Sequence, residues 1–320
     1  MICLSICIPT YNRSGYLRET LESIVSQKEF LESDEVEIII SDNCSPDDTP
    51  TVAKSFVDKY PTKIKYNRNP VNIADNNYEK VLSLASGAIM KLNNDTLKLN
   101  EGALGDLLKA IKRCIKNNTI PFLANGRIKT LNEPVICDSP SAFITTVSYF
   151  STWIASFCIS REEFLKVKDF SAKTEELLTQ VYVIMNLLEK KIPIEVIPET
   201  FFTSVVPAKR GGYNLAKIFL THYFGILRPH FKTKEEVKVF KKEKETMLYA
   251  FFLSYLADIY IDQVETRHNF EFDTSGYKSI IKEEFPFYTY IIFRIRLNYR
   301  ILLGVSKILV KRLIGYNKNK

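Results

Sequence analysis

The spacing of apolar residues changes abruptly near the start of the chain. Residues 2–8 are nearly all apolar, which is typical of a strand covered on both faces. We expect this strand to stop at Pro9, because proline has no N–H group for a central ladder. Helical spacing follows, with Asn12 or Ser14 as the possible cap. The apolar face of this predicted helix consists of Leu17, Leu21, Ile24 and Val25.

The alternation of strand and helix continues along the chain. A second strand is predicted from Val36 to Ile40, a third near Ile64 and a fourth from Ala88 to Leu92. Apolar positions at helical spacing predict a helix that begins near Pro50 and another near Tyr78. Strands that alternate with helices favour a Rossmann-like α/β fold, in which a mostly parallel sheet carries helices on both faces.

Polar residues follow three of these strands at their carboxyl ends. In open parallel sheets the ligand binds beyond these ends, so the position of the polar residues predicts a binding site. The three segments are Thr10-Tyr11-Asn12, Asp42-Asn43 and Asn93-Asn94-Asp95.

Beyond about residue 120 the pattern is less regular. It predicts short strands near 121–125, 154–159 and 194–197, and an amphipathic helix over 177–188. After Gly212 the chain is expected to be wholly helical. We therefore predict two domains: residues 1–210, with the parallel sheet, and residues 211–320, a helical region.

Composition fits an ordinary folded protein. The 320 residues are 46% hydrophobic and 25% charged, with a formal net charge of +7. The six cysteines show no CxxC spacing, and we expect buried, reduced thiols of a cytoplasmic protein. The sequence indicates neither a signal peptide nor an apolar run long enough to span a membrane.

Three segments in order resemble one enzyme family: LSICIPTYNR at 4–13, ISDNCSPDDT at 40–49, and a helix, glycine, strand and Asp-containing turn at 78–95. The resemblance is to the GT-A glycosyltransferases of family 2, and within them to the abequosyltransferase-like enzymes of O-antigen and capsule assembly. It covers roughly residues 1–225. It implies a GT-A fold and transfer of a sugar from a nucleotide diphosphate.

A nucleotide base needs a flat slot and hydrogen bonds in its plane. Tyr11 could supply the ring contact, and Asp42 could accept from an imide N–H of uracil or thymine. A simple chain turn is the other interpretation of Asp42. The resemblance implies that Pro9, Thr10, Tyr11 and Asp42 line the nucleotide pocket.

The segment Asn93-Asn94-Asp95 stands where the family carries a DxD-type motif. Two carboxylates there hold a divalent cation against the diphosphate, whereas here Asp95 is the carboxylate that remains as a metal ligand. We still expect Mn²⁺ or Mg²⁺, with weakened affinity. Asn93 could coordinate the cation through its carbonyl oxygen or bind the ribose, and a helix cap is the alternative. Asn72 could contact the nucleotide or belong to a plain loop.

The family places an acidic pair at the start of the helix that follows the acceptor-facing strands. This pair aligns with Thr179 and Gln180, which cannot act as a base, so Glu175 and Glu176 are the candidate catalytic bases. Both glutamates could instead stabilise a helix N-terminus. The sequence Lys209-Arg210-Gly211-Gly212 could close over the leaving diphosphate or form an exposed turn.

The C-terminal segment separates apolar from basic residues. Ile291, Ile295, Leu302, Val305, Leu309 and Leu313 fall on one helical face, and Arg296, Arg300, Lys307 and Lys311 form a second stripe. Such a helix can lie in a membrane interface, over roughly residues 285–315, or can pack on its own domain.

Together these features predict a glycosyltransferase that uses a nucleotide sugar, with a UDP-sugar favoured. The family resemblance implies inversion at the anomeric carbon. We also expect a lipid-linked or cell-surface glycan as acceptor, and a location on the cytoplasmic face of the membrane. A non-catalytic module that binds sugar nucleotides or glycans in a polysaccharide assembly complex is the alternative. Nucleic-acid binding is not indicated, because the cations cluster on one amphipathic helix.

Overall fold

A five-stranded sheet with the order β3-β2-β1-β4-β8 lies at the centre of the N-terminal part of the chain. In this computed structural model, residues 2–167, 170, 177–205, 210–265 and 269–318 are described, with the backbone alone for 311–318. The first four strands are parallel and β8 is antiparallel. The bounds are β1 Leu4–Thr10, β2 Val36–Asp42, β3 Ile64–Arg68, β4 Ile89–Leu92 and β8 Cys158–Ser160.

Helices pack on this sheet as the alternating pattern predicts. Leu17, Leu21 and Ile24 are buried on the inner face of the first helix. The strands contribute Ile6 and Ile38 to the same core. The bounds are α1 Ser14–Val25, α2 Lys28–Glu32, α3 Thr49–Lys59, α4 Asn76–Ser83 and α5 Ala103–Asn117. The prediction of an α/β fold with a mostly parallel sheet is confirmed.

Two small sheets complete this part of the structure, with the strand orders β6-β9-β7 and β10-β5. Their strands are β5 Leu97–Leu99, β6 Ile120–Leu123, β7 Val135–Cys137, β9 Ile194–Ile197 and β10 Phe202–Ser204. The helices are α6 Pro140–Val147, α7 Arg161–Lys166 and α8 Thr179–Glu189. The predicted strand at 154–159 is a short 3-10 turn that leads into β8.

Pro9 does not end the first strand, contrary to our expectation. β1 continues to Thr10, and Pro9 is aligned with Ser41 of β2. The carbonyl of Cys7 accepts from Asn93 N–H on the β4 side. Pro9 lies two residues further on, so its nitrogen faces that same side, where β4 has ended. The missing N–H group therefore costs no ladder bond.

The chain divides into two compact units, Met1–Val206 and Pro207–Lys320. The second unit is mainly helical, as predicted. It also contains a parallel pair of short strands, β11 Arg210–Asn214 and β12 Phe270–Asp273, so the expectation of a wholly helical region is wrong. Gly211 permits this pairing, since it has a φ of 135° and a side chain there would meet the Glu271 backbone.

The helices of the second unit end in one long element. Their bounds are α9 Tyr223–Leu227, α10 Lys234–Thr246, α11 Leu253–Glu265, α12 Tyr277–Glu284 and α13 Phe287–Lys318. Two π-helical segments, Lys217–His222 and Met247–Phe252, lead into α9 and α11. Among the described residues, no helix combines the length and apolar character that crossing a bilayer requires.

Candidate active site

A cleft of about 410 Å³ opens at the carboxyl ends of the parallel strands. It lies where the strand order reverses, between β1 and β4, which is the ligand position in open α/β sheets. It is lined by Pro9, Thr10, Tyr11, Arg13, Asn43, Asn72, Ala74, Asp75, Asn77, Tyr78, Asn94, Asp95 and Ile154. Seven residues that the sequence indicated are therefore brought together here: Pro9, Thr10, Tyr11, Asn43, Asn72, Asn94 and Asp95.

Asp95 joins the first and fourth strand ends. Thr10 Oγ1 donates to its Oδ2 over 2.9 Å, and Arg13 Nη1 donates to Oδ1 over 3.0 Å. Thr20 of α1 donates to its backbone carbonyl over 2.8 Å. Burial raises the pKa of this carboxyl group, whereas Arg13 and Thr10 act in the opposite direction. Asp95 is thus a buried carboxyl group that lines the cleft and is paired with Arg13.

Arg13 is the cation of the cleft that sequence reasoning did not assign. Its side chain remains 44% exposed while it bonds Asp95. Guanidinium carries five donors in a planar fork, so the remaining N–H groups can bind an anionic ligand. The signal in the sequence that could have identified Arg13 is its position shortly after the end of the first strand.

The N-terminus of α1 is held by side chains from the loop after β2. Asn12 N–H donates to Ser45 Oγ, and Ser14 N–H donates to an Asp47 carboxylate oxygen, both over 2.9 Å. Neither Asn12 nor Ser14 caps the helix itself, because Arg13 occupies the cap position without a side-chain bond. The predicted cap was wrong, since the capping carboxylate comes from a distant segment.

Asp42 is fully buried and is not among the residues that line the cleft. Ser45 N–H donates to its Oδ1 and the Tyr66 hydroxyl donates to its Oδ2, each over 2.8 Å. Arg68 Nε lies 3.5 Å from Oδ2. Burial and this carboxylate together raise the pKa of Tyr66. The carboxylate thus organises the end of β2, beside the cleft.

Asn93 is also buried, and its side chain is engaged within the protein. Its Oδ1 accepts from Lys91 Nζ over 2.8 Å, and its Nδ2 donates to the carbonyls of Asn94 and Leu97. Asn93 does not line the cleft, whereas Asn94 and Asp95 do. Of the three residues in the DxD-like segment, the middle and the last are therefore available to a ligand.

A cluster of amides shapes the opposite wall of the cleft. Asn43 Nδ2 donates to Asn72 Oδ1 over 2.7 Å, and Asn69 Nδ2 donates to Asn77 Oδ1 over 2.9 Å. Asn43 Oδ1 accepts from Asn69 and from the backbone of Ile73. These bonds tie the loop between β3 and α4 to the end of β2. Asn72 is thus a structural partner of Asn43 as well as a lining residue.

Asp75 is a second carboxylate in the cleft that sequence reasoning missed. Burial raises its pKa to about 6. It precedes α4 without capping it through its side chain. A carboxyl group with this pKa changes its charge around pH 6, within the cleft that Asp95 and Arg13 also line.

The structure describes only some of the other predicted residues. Glu175, Glu176 and Lys209 fall outside the described residues. Arg210 begins β11 in the second unit, where its guanidinium carbon lies 4.4 Å from the Phe270 ring centroid. Thr179 and Gln180 begin α8, and Gln180 Nε2 donates to the Thr152 carbonyl.

One known family matches a large part of the N-terminal unit. Residues 5–134 match the model of glycosyl transferase family 2. This segment is thus similar to a glycosyl transferase family 2 domain. The resemblance seen in the three sequence segments is thereby confirmed.

Two curated relatives match part of this chain. Abequosyltransferase RfbV of Salmonella typhimurium is 45% identical over 85 residues, which are 26% of this chain and 25% of RfbV. The GalNAc(5)-diNAcBac-PP-undecaprenol beta-1,3-glucosyltransferase of Campylobacter jejuni is 34% identical over 108 residues, 33% of each chain. The similarity thus spans between a quarter and a third of these relatives.

Solved structures extend the likeness in fold to almost the whole chain. Mannosyltransferase PcManGT from Pyrobaculum calidifontis, in complex with GDP-Man and Mn²⁺, has a TM-score of 0.57 at 14% identity, covering 96% of this chain and 86% of that one. S. aureus TarS 1–349 in complex with UDP-GlcNAc has a TM-score of 0.54 at 16% identity, covering 97% and 92%. The predicted GT-A fold is confirmed.

Proposed function

We propose that this protein transfers a sugar from a nucleotide diphosphate, with a UDP-sugar favoured, to a glycan acceptor. The observation that carries the proposal is the polar cleft at the switch point of a GT-A sheet, lined by Thr10, Arg13, Asn94 and Asp95. The similarity to a family 2 domain supports the reaction class. TarS, which shares the fold, has been solved with UDP-GlcNAc, in keeping with a uridine donor.

The lining residues suggest how the donor is held. Tyr11 is 45% exposed at the edge of the cleft, so its ring can stack on the base. Arg13 is fixed by Asp95 and can bind a diphosphate oxygen with its remaining donors. Asn94 can bind a ribose or sugar hydroxyl. Asp42 would affect binding of the base by organising the end of β2, or would accept a hydrogen bond from the base directly if Tyr66 moves away.

We also propose a weakly bound Mn²⁺ or Mg²⁺. Among the described residues there is no group of three or more His, Cys, Asp or Glu suited to a metal. Asp95 and the amide oxygen of Asn94 nevertheless fit a cation that takes its other ligands from the diphosphate and water. When bound, the cation would neutralise charge on the leaving diphosphate.

The acceptor side of the proposal depends on the relatives. The Campylobacter enzyme is named for an undecaprenol-linked substrate, which supports a lipid-linked glycan as acceptor. We propose the cytoplasmic face of the membrane as the place of the reaction. Inversion by direct displacement, with Glu175 or Glu176 as base, follows the family resemblance. Loss of that base should lower turnover by ~10² or more and leave donor affinity unchanged.

Calorimetry with a panel of nucleotide sugars tests the proposal. We expect one donor to bind the full-length chain and Arg13→Gln to weaken that binding about tenfold, since a charge-assisted hydrogen bond is lost. Arg18→Gln, an exposed change on the same helix, is the control. Failure of every donor to bind, with and without Mn²⁺, would refute the proposed function.

A non-catalytic binding module is the second candidate. The observation that favours it is Asn93, which stands at a DxD position and is bonded to Lys91. Donor binding without hydrolysis or transfer, across several acceptors and metals, would select this alternative over the enzyme.

A further inference from the structure

The long helix α13 carries apolar residues on two opposite sides. One side packs within the second unit: Phe293 is fully buried, and its ring lies 5.9 Å from that of Phe252 and 6.3 Å from that of Tyr277. Leu297 continues this buried side, and Gly304 leaves room there for Ile261 of α11. Packing on its own unit therefore uses only one side of the helix.

The other side is apolar and exposed. At about 100° per residue, Ile291, Ile295, Leu302 and Leu309 lie within roughly 40° of one another and opposite to Phe293. Ile295 is 65% and Leu302 is 66% exposed. Single exposed apolar residues are ordinary, but a row along several turns marks an interaction surface. We call these four residues the outer row.

The aromatic residues beside the outer row are also exposed. Phe287, Tyr288 and Tyr299 lie on the same side of α13 or next to it, and each is well over half exposed. Tyrosine places an apolar ring and a polar hydroxyl at opposite ends, which suits the boundary between headgroups and acyl chains.

The charge of this helix has one sign. Residues 287–318 contain seven Lys and Arg and no Asp or Glu. Arg296 and Lys307 are exposed on one flank of the helix, and Arg294 lies on the other. Arg296 rests on the ring of Tyr249 at 4.6 Å, and Arg300 donates to the Ser254 hydroxyl, near Asp258. Long basic side chains beside an apolar row can extend toward anionic groups on the surface that receives the row.

The two units also differ in net charge, and the unit that contains α13 is the basic one. Residues 207–320 hold 21 Lys and Arg against 11 Asp and Glu, a net charge of +10, which leaves −3 for residues 1–206. A second copy of this chain is a poor occupant for the outer row, because a symmetric pair would bring the cations of both helices together.

We propose that α13 lies in the plane of an anionic bilayer surface, with the outer row among the acyl chains and the flanking cations at the headgroups. This arrangement has the features of an interfacial helix: a separated apolar face, basic flanks and, over the part of the chain that the structure describes, no membrane-spanning helix. The outer row belongs to the second unit and no residue of it lines the cleft of the first, so this proposal does not depend on the proposed function.

Flotation of the full-length protein with vesicles tests it. We expect binding to vesicles of phosphatidylcholine with phosphatidylglycerol at low salt, and weaker binding to phosphatidylcholine alone or at high salt. Ile295→Asn/Leu302→Asn should weaken binding by roughly a hundredfold, because two large aliphatic side chains no longer leave water. Arg296→Gln/Lys307→Gln should weaken it about fivefold per cation.

Matched controls distinguish binding through α13 from non-specific attraction between any basic residue and the vesicle. Lys241 and Lys242 are exposed on α10, and Lys241→Gln/Lys242→Gln should leave vesicle binding unchanged. All substituted residues are exposed, so melting temperatures should stay close to that of the wild type. Tyr299→Trp adds a second reporter to a chain whose one tryptophan is Trp153, and brominated lipid should quench only the new emission.

The proposal is overturned if the wild type ignores anionic vesicles at low salt. It is equally overturned if the outer-row variant and the α10 control bind alike, or if sedimentation shows a dimer that only the outer-row variant dissociates. Failure to bind a nucleotide sugar would leave this proposal standing and would count against the donor cleft alone.

Discussion

Lys91 is a fully buried ammonium group beside the DxD-like segment. Its Nζ donates to the Leu92 carbonyl and to Asn93 Oδ1, and lies 4.3 Å from the Phe202 ring centroid. Neutral groups thus solvate the Lys91 cation. One of them is Asn93, at the position where the family pattern has a carboxylate. The amide at position 93 is matched to the lysine, so the departure from the DxD pattern has a local structural cause.

This pairing predicts that Asn93→Asp does not restore a metal site. The new carboxylate would replace an oxygen 2.8 Å from Lys91 Nζ and form a buried ion pair. We expect the affinity for Mn²⁺ in the presence of UDP, measured by calorimetry, to change less than about threefold, because the added charge is already compensated.

Asn94→Asp is the matched comparison. Asn94 lines the cleft beside Asp95, so a second carboxylate there should tighten Mn²⁺ binding about tenfold or more. The reverse order of effects, with Asn93→Asp the stronger variant, would show that position 93 faces the ligand.

Lys91 also predicts a pH dependence of stability. Burial lowers its pKa from 10.5 to about 8. Between these two pH values the unfolded chain binds more protons at this site than the folded chain. The contribution of Lys91 to the free energy of unfolding therefore rises as the pH increases from about 8 to 10.5, by up to ~3 kcal/mol.

Urea unfolding of the wild type and Lys91→Met across this range measures the effect. Methionine does not titrate, so the stability of the variant relative to the wild type should fall as the pH rises. Taking the difference removes the opposing contributions of buried thiols such as Cys158, whose pKa burial raises to about 12. A constant difference between the two proteins would contradict a depressed pKa at Lys91.

At the scale of elements, the loop between β3 and α4 is held in a conformation that its sequence disfavours. Ala74 has a φ of 49°, in the left-handed region that favours glycine. Its N–H donates to Asn72 Oδ1, and its carbonyl accepts from Asn43 Nδ2. The amide cluster therefore offsets the backbone strain and keeps this wall of the cleft in place.

We expect Ala74→Gly to stabilise the protein by about 0.5–1 kcal/mol. Glycine removes a left-handed strain of roughly 1–2 kcal/mol. Part of this gain is offset because glycine makes the unfolded chain more flexible, so more conformational entropy is lost on folding. Thermal unfolding should show a small increase in Tm. Ala110→Gly is the control: this residue lies inside α5 with ordinary helical geometry, so glycine there should lower stability by about 1 kcal/mol.

The main strands and the strand-end segments could be predicted because each depends on local sequence. Buried parallel strands are continuous apolar runs, and their polar ends stand out against them. Which side chains face the cleft was not predictable from spacing. Asn93 accepts a hydrogen bond from Lys91, and Asp42 accepts one from Tyr66. Neither donor belongs to the strand-end segments, so these segments alone do not show that both side chains are already engaged. The short pair β11 and β12 lacks a periodic signal, since it depends on Gly211 and distant Glu271.

At the scale of the molecule, chemistry and charge are divided between the two units. The cleft lies within a unit of net charge −3, and the basic helix α13 belongs to a unit of net charge +10. An enzyme whose acceptor is anchored in a bilayer gains from such a division, because attachment raises the local concentration of acceptor without altering the donor site.

This division predicts that the outer row matters only when the acceptor is in a membrane. Ile295→Asn/Leu302→Asn should lower transfer to a lipid-linked acceptor in anionic vesicles about as much as it lowers vesicle binding, roughly a hundredfold. With a water-soluble acceptor analogue the same variant should retain the wild-type kcat/KM, since no residue of the cleft has changed. Arg13→Gln should reduce transfer to both acceptors. If the outer-row variant loses activity toward the soluble analogue as well, α13 contributes to catalysis or folding rather than to membrane attachment.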